Sequence, residues 1–193
     1  MVVEGLMTAN KHFKRRVRER ARRTGESYTA ALRHLRRVDA EEHRVQWKRI
    51  ERPDFAYAVH VPQGWHERPP NTKNSPWETA RYGDHSDRRH GAIVFRQPVR
   101  PGRTSAEMAE IARSSLESLG FADIEIVPAR LGERDGALLS GVKRDAGRAL
   151  SIREYMAMDG DVGFCLGCWS TVPEEDLPLF EAMAGRFEIL VDV

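Results

Sequence analysis

Apolar positions in this chain fall into two periods, and the changes from one to the other outline its elements. Residues 45–50 read as a first strand. Phe55, Tyr57, Val59 and Val61 then alternate with Ala56, Ala58 and His60, the period-two signature of a half-buried strand. Pro62 and Gly64 in VPQGW end that ladder and place Trp65 to fold back over the sheet edge. GAIVFRQPV is a further strand at 91–99. Four more segments, FADIEIVPARL, GALLSGVKR, ALSIREYMAM and VGFCLGCWS, are separated by the turn clusters ERDG, DAGR and DGDVG, which predicts an antiparallel meander.

Helical periods occupy the remainder. In PGRTSAEMAEIARSSLESLG, Ser105 is the expected N-cap, and Glu107 and Glu110 lie near the positive end of the helix dipole. Met108, Ile111, Leu116 and Leu119 supply the apolar positions, and Gly120 closes the helix. PEEDLPLFEAMAG predicts a last helix with Pro173 in its first turn, acidic residues behind it, and Leu179, Phe180 and Met183 facing inward. RFEILVDV follows as a short strand. Between 66 and 89 the composition shifts to Pro, Asn, Asp, Arg and His, which predicts a long loop carrying Trp77 and Tyr82.

Charge changes the picture at the N-terminus. Residues 11–37 hold two lysines and nine arginines against Glu19 and Glu26, a net +9 in a chain of +2, so the rest sums to −7. Phe13, Val17 and Ala21 recur at four-residue spacing, with Lys14, Arg15, Arg18 and Arg22 spread round the other faces. Thr24 and Gly25 end this helix, and Ser27 can cap the next, whose apolar stripe is Tyr28, Ala31, Leu32 and Leu35. Two helices this short need packing to be stable. The expected division is a basic helical hairpin over 1–40 and an α+β domain over 45–193.

VRERARRTGESYTAALRHLRR resembles the two helices of ribbon-helix-helix DNA-binding domains. In that family a preceding strand enters the major groove; here VVEGLMTANK offers only Glu4 and Thr8 as readers. The order of strand, VPxGW turn, long loop, strand, helix, meander, helix and final strand resembles the PsbP-like sandwich from about residue 45 to 193. FAYAVHVPQGW and FCLGCWSTVPEEDLPLFEAMAGRFEIL carry that resemblance. It implies an antiparallel sheet with packed helices and a protein-binding scaffold without its own catalysis. Members of that fold include photosystem proteins, a nuclear-import factor that binds a small GTPase, and secretion chaperones.

The sequence holds little that reads as reaction chemistry. DHSDRRH crowds Asp84, His85, Asp87 and His90 together, but their spacing matches no metal motif, and Arg88 and Arg89 would repel a cation. Cys165 and Cys168 form a Cys-Xaa-Xaa-Cys pair inside a strand, where a separation of three points them to opposite faces. Ser140 and Ser151 lack a nucleophile elbow, no glycine-rich phosphate loop occurs, and no cofactor is expected. Arg96, Lys143, Arg144 and Arg153 could form a second basic face on the sheet, but nearby acids offset their net effect.

Three functional readings follow. In the first, Lys14, Arg15, Arg16, Arg18, Arg22 and Arg23 contact nucleic acid or ribonucleoprotein while the body binds a partner. In the second, the body is a protein adaptor or chaperone using Trp65, Trp77, Tyr82 and Trp169. The third is an enzyme or small-ligand site on the 66–90 loop. The hairpin could also pair with a second copy. No apolar run approaches the roughly 20 residues that span a bilayer, and a cytoplasmic location is the expectation.

Overall fold

The computed structural model describes residues 14–15, 17–33, 35, 45–145 and 147–190. The chain divides into two compact units, 1–44 and 45–193.

The first unit contains helix α1, described at 14–15 and 17–24, and helix α2, described at 28–33 and 35. Gly25 between them has φ +72°, which a side chain would oppose, and its N–H donates to Ala21 O at 3.0 Å. Ser27 Oγ accepts from Ala30 N at 3.2 Å and so caps α2. Val17, Ala31 and Leu35 are buried together, with Ala21 and Leu32 packed against them. Tyr28, expected in the apolar stripe, is instead 42 % exposed. Its position at the start of the second helix leaves the burial to Ala31 and Leu35. Phe13, Arg16 and the preceding VVEGLMTANK, with Glu4 and Thr8, lie outside the described residues, so the likeness to ribbon-helix-helix domains rests on the sequence of the two helices.

The second unit has two antiparallel sheets. Strands β1 (Trp47–Arg52), β2 (Tyr57–Pro62) and β10 (Glu188–Ile189) form the smaller, in the order β1-β2-β10. The larger has the order β3-β4-β5-β9-β8-β7-β6. Its strands are β3 (His66–Arg68), β4 (Glu78–Gly83), β5 (His90–Pro98), β6 (Ala122–Leu131), β7 (Arg134–Asp145), β8 (Arg148–Asp159) and β9 (Val162–Ser170). Helix α3 (Ser105–Ser118) lies between β5 and β6 in sequence, and α4 (Pro173–Gly185) follows β9.

Alternation on the central strands feeds two cores. Tyr57, Val59 and Val61 from the small sheet and Phe180 and Met183 from α4 pack on Val94, Leu138, Tyr155, Phe164 and Leu166 of the large sheet. On the opposite face Met108, Ala109 and Leu116 of α3 pack on Ala137, Leu139, Ile152, Met156 and Cys165. The large sheet is therefore the middle layer of three. Gly132, at φ +59°, lets the β6–β7 turn approach the C-terminal segment: its N–H donates to Ala184 O at 2.7 Å, and a Cβ there would meet Phe187 O at 1.9 Å.

Several expectations are corrected. The 66–89 segment is not one long loop, because β3 and β4 lie within it. Glu78 and Arg81 pair with each other, through Arg81 Nη2 to Glu78 Oε2 at 2.9 Å, which makes a polar stretch acceptable within a sheet. The N-cap of α3 is Thr104 rather than Ser105. Thr104 Oγ1 accepts from Glu107 N at 3.2 Å, and Glu107 Oε2 accepts from Thr104 N at 2.8 Å, a reciprocal capping box. Ile111 and Leu119 are 51 % and 60 % exposed, since α3 needs only Met108, Ala109 and Leu116 to meet the sheet. Among the described residues no helix is long and apolar enough to cross a membrane.

Candidate functional site

Strand β8 sets opposite charges on the two faces of the large sheet. Arg153 projects toward α4 and the small sheet, and Glu154 projects toward the α3 layer. The α3 layer is incomplete. Helix α3 packs chiefly on β6, β7 and β8, and it meets β9 near Gly163 and Cys165. Farther along β9 the face is partly open.

That open area is built by register. Gly91, Trp169 and Ile152 lie side by side across β5, β9 and β8, and the next row on the same face is Ile93, Gly167 and Glu154. A Cβ on Gly91 would stand 3.0 Å from the Trp169 ring, so the indole lies directly on bare backbone. A Cβ on Gly167 would stand 3.4 Å from the Phe95 ring and 3.8 Å from Glu154 Cγ. Gly167 is thus the floor of a shallow trough with Phe95 on one side and Glu154 on the other. Ile93, Phe95, Glu154 and Trp169 are all partly buried.

Glu154 is the chemically unusual member. Burial pushes its carboxyl up to about 7 from an ordinary 4.5, and among the described residues no cation offsets the cost. Beside it, burial also holds the Cys165 thiol well above its usual range, so it stays protonated and is a poor nucleophile. A lone carboxyl on an apolar trough favours either a proton or an approaching cation. The sequence carries the signal: in ALSIREYMAM, Glu154 interrupts the row Ile152, Met156 and Met158, which one strand face must share.

The residues singled out from sequence do not form one site. Trp169 belongs to the trough. Trp77 is 42 % exposed, but its carbonyl accepts from Arg96 N at 2.9 Å, toward the opposite end of β5 from Gly91. Trp65 and Tyr82 are corrected: at 3 % and 1 % exposure they are core residues. Trp65 folds back as its turn requires, but onto His90, with ring centroids 5.1 Å apart. Tyr82 points inward on β4, its hydroxyl 3.5 Å from that of Tyr57.

The crowded acidic and histidine segment separates. Asp84 Oδ1 accepts from Ser86 N and Oγ, each at 2.7 Å, and His85 stacks on His66. His90 enters the core, where its Nδ1 lies 2.8 Å from Asp176 Oδ1 while Ser170 Oγ donates to Asp176 Oδ2 at 2.6 Å. Ser170 Oγ accepts in turn from Val172 N at 2.8 Å. Here the carboxylate bridges serine and histidine and ties β5 and β9 to the start of α4, with the histidine on the other carboxylate oxygen from the serine. Among the described residues no three His, Cys, Asp or Glu side chains come together as a metal site. Three residues of the second basic face are engaged locally. Lys143 Nζ bonds Leu119 O at 2.8 Å, Arg144 pairs with Asp123 at 2.8 Å, and Arg96 lies over the Phe164 ring.

On the hairpin, Lys14, Arg15, Arg18, Arg22, Arg23 and Arg33 are exposed. Arg20 pairs with Glu26 at 2.6 Å.

No protein-family model matches the sequence. No curated protein matches it. Solved structures do. A Bacteroides thetaiotaomicron protein superposes with TM-score 0.54 at 11 % identity over 76 % of this chain, which spans half the length of that one. LpqN, described as involved in cell-envelope biogenesis of Mycobacterium tuberculosis, gives 0.53 at 15 % identity, covering 76 % of this chain and 92 % of its own. The Saccharomyces cerevisiae Ran-binding protein Mog1p gives 0.51 at 14 % identity, with 76 % and 96 % covered. The chain shares the α+β fold of these proteins, antiparallel sheet with packed helices. At such identities the likeness establishes architecture alone.

Proposed function

We propose that this chain is a non-enzymatic binding protein whose PsbP-like body takes a protein partner on the open half of its large sheet. The observation that carries this reading is Glu154, a carboxyl that has no cation among the described residues and lies beside Trp169, Phe95 and Ile93 on a face that α3 leaves partly uncovered. The partner it fits presents an apolar side chain to Trp169 and a lysine or arginine to Glu154. Mog1p is by its description a Ran-binding protein, which is in keeping with a binding role for such a body. The test compares proteins retained by the wild type, Trp169→Ala and Glu154→Lys, with and without residues 1–44. A partner lost from both variants and kept without the hairpin supports the reading; identical retention by all forms refutes it.

A second reading rests on the hairpin, where Lys14, Arg18, Arg22, Arg23 and Arg33 are exposed in helices that Val17, Ala31 and Leu35 hold together. With Arg15 and Arg16 they would neutralise phosphates of nucleic acid or ribonucleoprotein. Four or five such contacts give a log–log slope of affinity against salt of about −4 on duplex DNA. A slope near zero for a labelled duplex, and likewise for a labelled RNA, would remove it. Whether the hairpin pairs with a second copy is read from sedimentation with and without residues 1–44.

A further inference from the structure

The face opposite Trp169 carries a recess of about 200 Å³ between the outer parts of β7 and β8 and the first half of α4. Arg153, Ser140 and Ser151 form its polar side, and Val142, Leu177 and Phe180 its apolar side. Arg153 is fixed from behind: its Nε donates to Tyr155 Oη at 3.2 Å, and its guanidinium lies 5.8 Å from the centroid of that ring. Among the described residues the only hydrogen bond of the Arg153 side chain is this one, and the hydroxyls of Ser140 and Ser151 have no partner. The Arg153 guanidinium and two hydroxyls therefore line a space whose other walls, apart from Asp123 at the rim, are apolar or backbone.

The surrounding charges narrow what fits. Asp123 lies on the rim but pairs with Arg144 at 2.8 Å, and Glu181 acts electrostatically on Arg153 from α4. One cation facing two nearby carboxylates suits a singly charged anion better than a dianionic phosphate. A planar guanidinium with two free terminal nitrogens matches the two oxygens of a carboxylate. At roughly 30 Å³ per water-sized group, the recess holds a carboxylate and a short alkyl chain.

We propose that this recess binds a monocarboxylate bearing a short apolar chain, with its oxygens on Arg153, Ser140 and Ser151 and its chain against Val142, Leu177 and Phe180. The same chemistry is offered by a small organic acid and by the C-terminus of a polypeptide ending in an apolar residue.

The test uses the full chain and follows amide chemical shifts during titration with hexanoate, hexanamide, inorganic phosphate, and a leucine-ending tetrapeptide as free acid and as amide. The expected result is saturable binding of at least one free acid, with shifts centred on Ser140, Ser151 and Leu177, and much weaker binding of its amide. Arg153→Gln should weaken the acid about 10- to 100-fold, with a smaller loss in Ser140→Ala/Ser151→Ala and none in Trp169→Ala. Hexanoate binding assigns a small acid as sufficient, whereas binding of the tetrapeptide acid alone assigns a chain terminus. Equal binding of acid and amide, preference for phosphate, or no saturable binding overturns the proposal. If Arg153→Gln does not fold, the double serine variant decides: unchanged acid affinity there also overturns it.

Discussion

Glu154→Gln removes a charge that folding has to bury, and its effect should depend on pH in a defined direction. The folded carboxyl titrates at about 7 against an ordinary 4.5. Between these values the folded chain holds a proton that the unfolded chain releases, so the contribution of this group to stability is greatest below pH 4.5 and falls as pH rises to 7. At about 1.4 kcal/mol for each pH unit, complete burial would cost about 3 kcal/mol above pH 7. Glu154 is only partly buried by surface area, and solvent reaching its rim reduces the expected cost to about 1–2 kcal/mol. Glutamine keeps the shape and cannot ionise. Urea unfolding of both proteins from pH 5 to pH 8.5 should give nearly equal stabilities at the acid end and a Glu154→Gln advantage of about 1–2 kcal/mol at the alkaline end. A difference independent of pH, or a variant less stable than wild type at pH 8.5, would refute the assignment of an unpaired, desolvated carboxyl.

Asp176→Ala should destabilise the body by about 2–4 kcal/mol in urea, because it strands buried Ser170 and His90 together; a loss below 1 kcal/mol would show that the bridge does not hold α4 to β5 and β9. Gly132→Ala should cost more than about 2 kcal/mol, or prevent folding, since it combines a positive φ with a Cβ 1.9 Å from Phe187 O. Thr104→Ala should lower stability by about 1 kcal/mol through loss of the capping box, measured by the same unfolding assay. Cys165 and Cys168 are buried free thiols whose ionisation burial opposes, so a thiol reagent should leave both unmodified in the native chain and react with both in denaturant. Rapid native labelling would mean that the central strand opens.

Sequence alone settled the features that depend on neighbours along the chain. Period-two alternation located the strands of the meander and put Cys165 and Cys168 on opposite faces, where the structure assigns them to different cores. Gly25 with its positive φ ended one helix and Ser27 began the next. Tertiary structure decided what depends on distant partners. ETARYG became a strand because β5 stood ready to pair with it, and His90 left a polar cluster because Asp176, 86 residues away, met it in the core. Trp65 and Tyr82 went inside while Trp169 stayed partly open, a difference set by which layer covers each strand. Glu154 was missed in the sequence although it is the one acid in the row Ile152, Met156 and Met158, and the position of α3 left it a carboxyl with no cation among the described residues beside a surface trough. A residue's side of a strand follows from local geometry; whether that side is covered depends on how long the opposing helix is and where it lies.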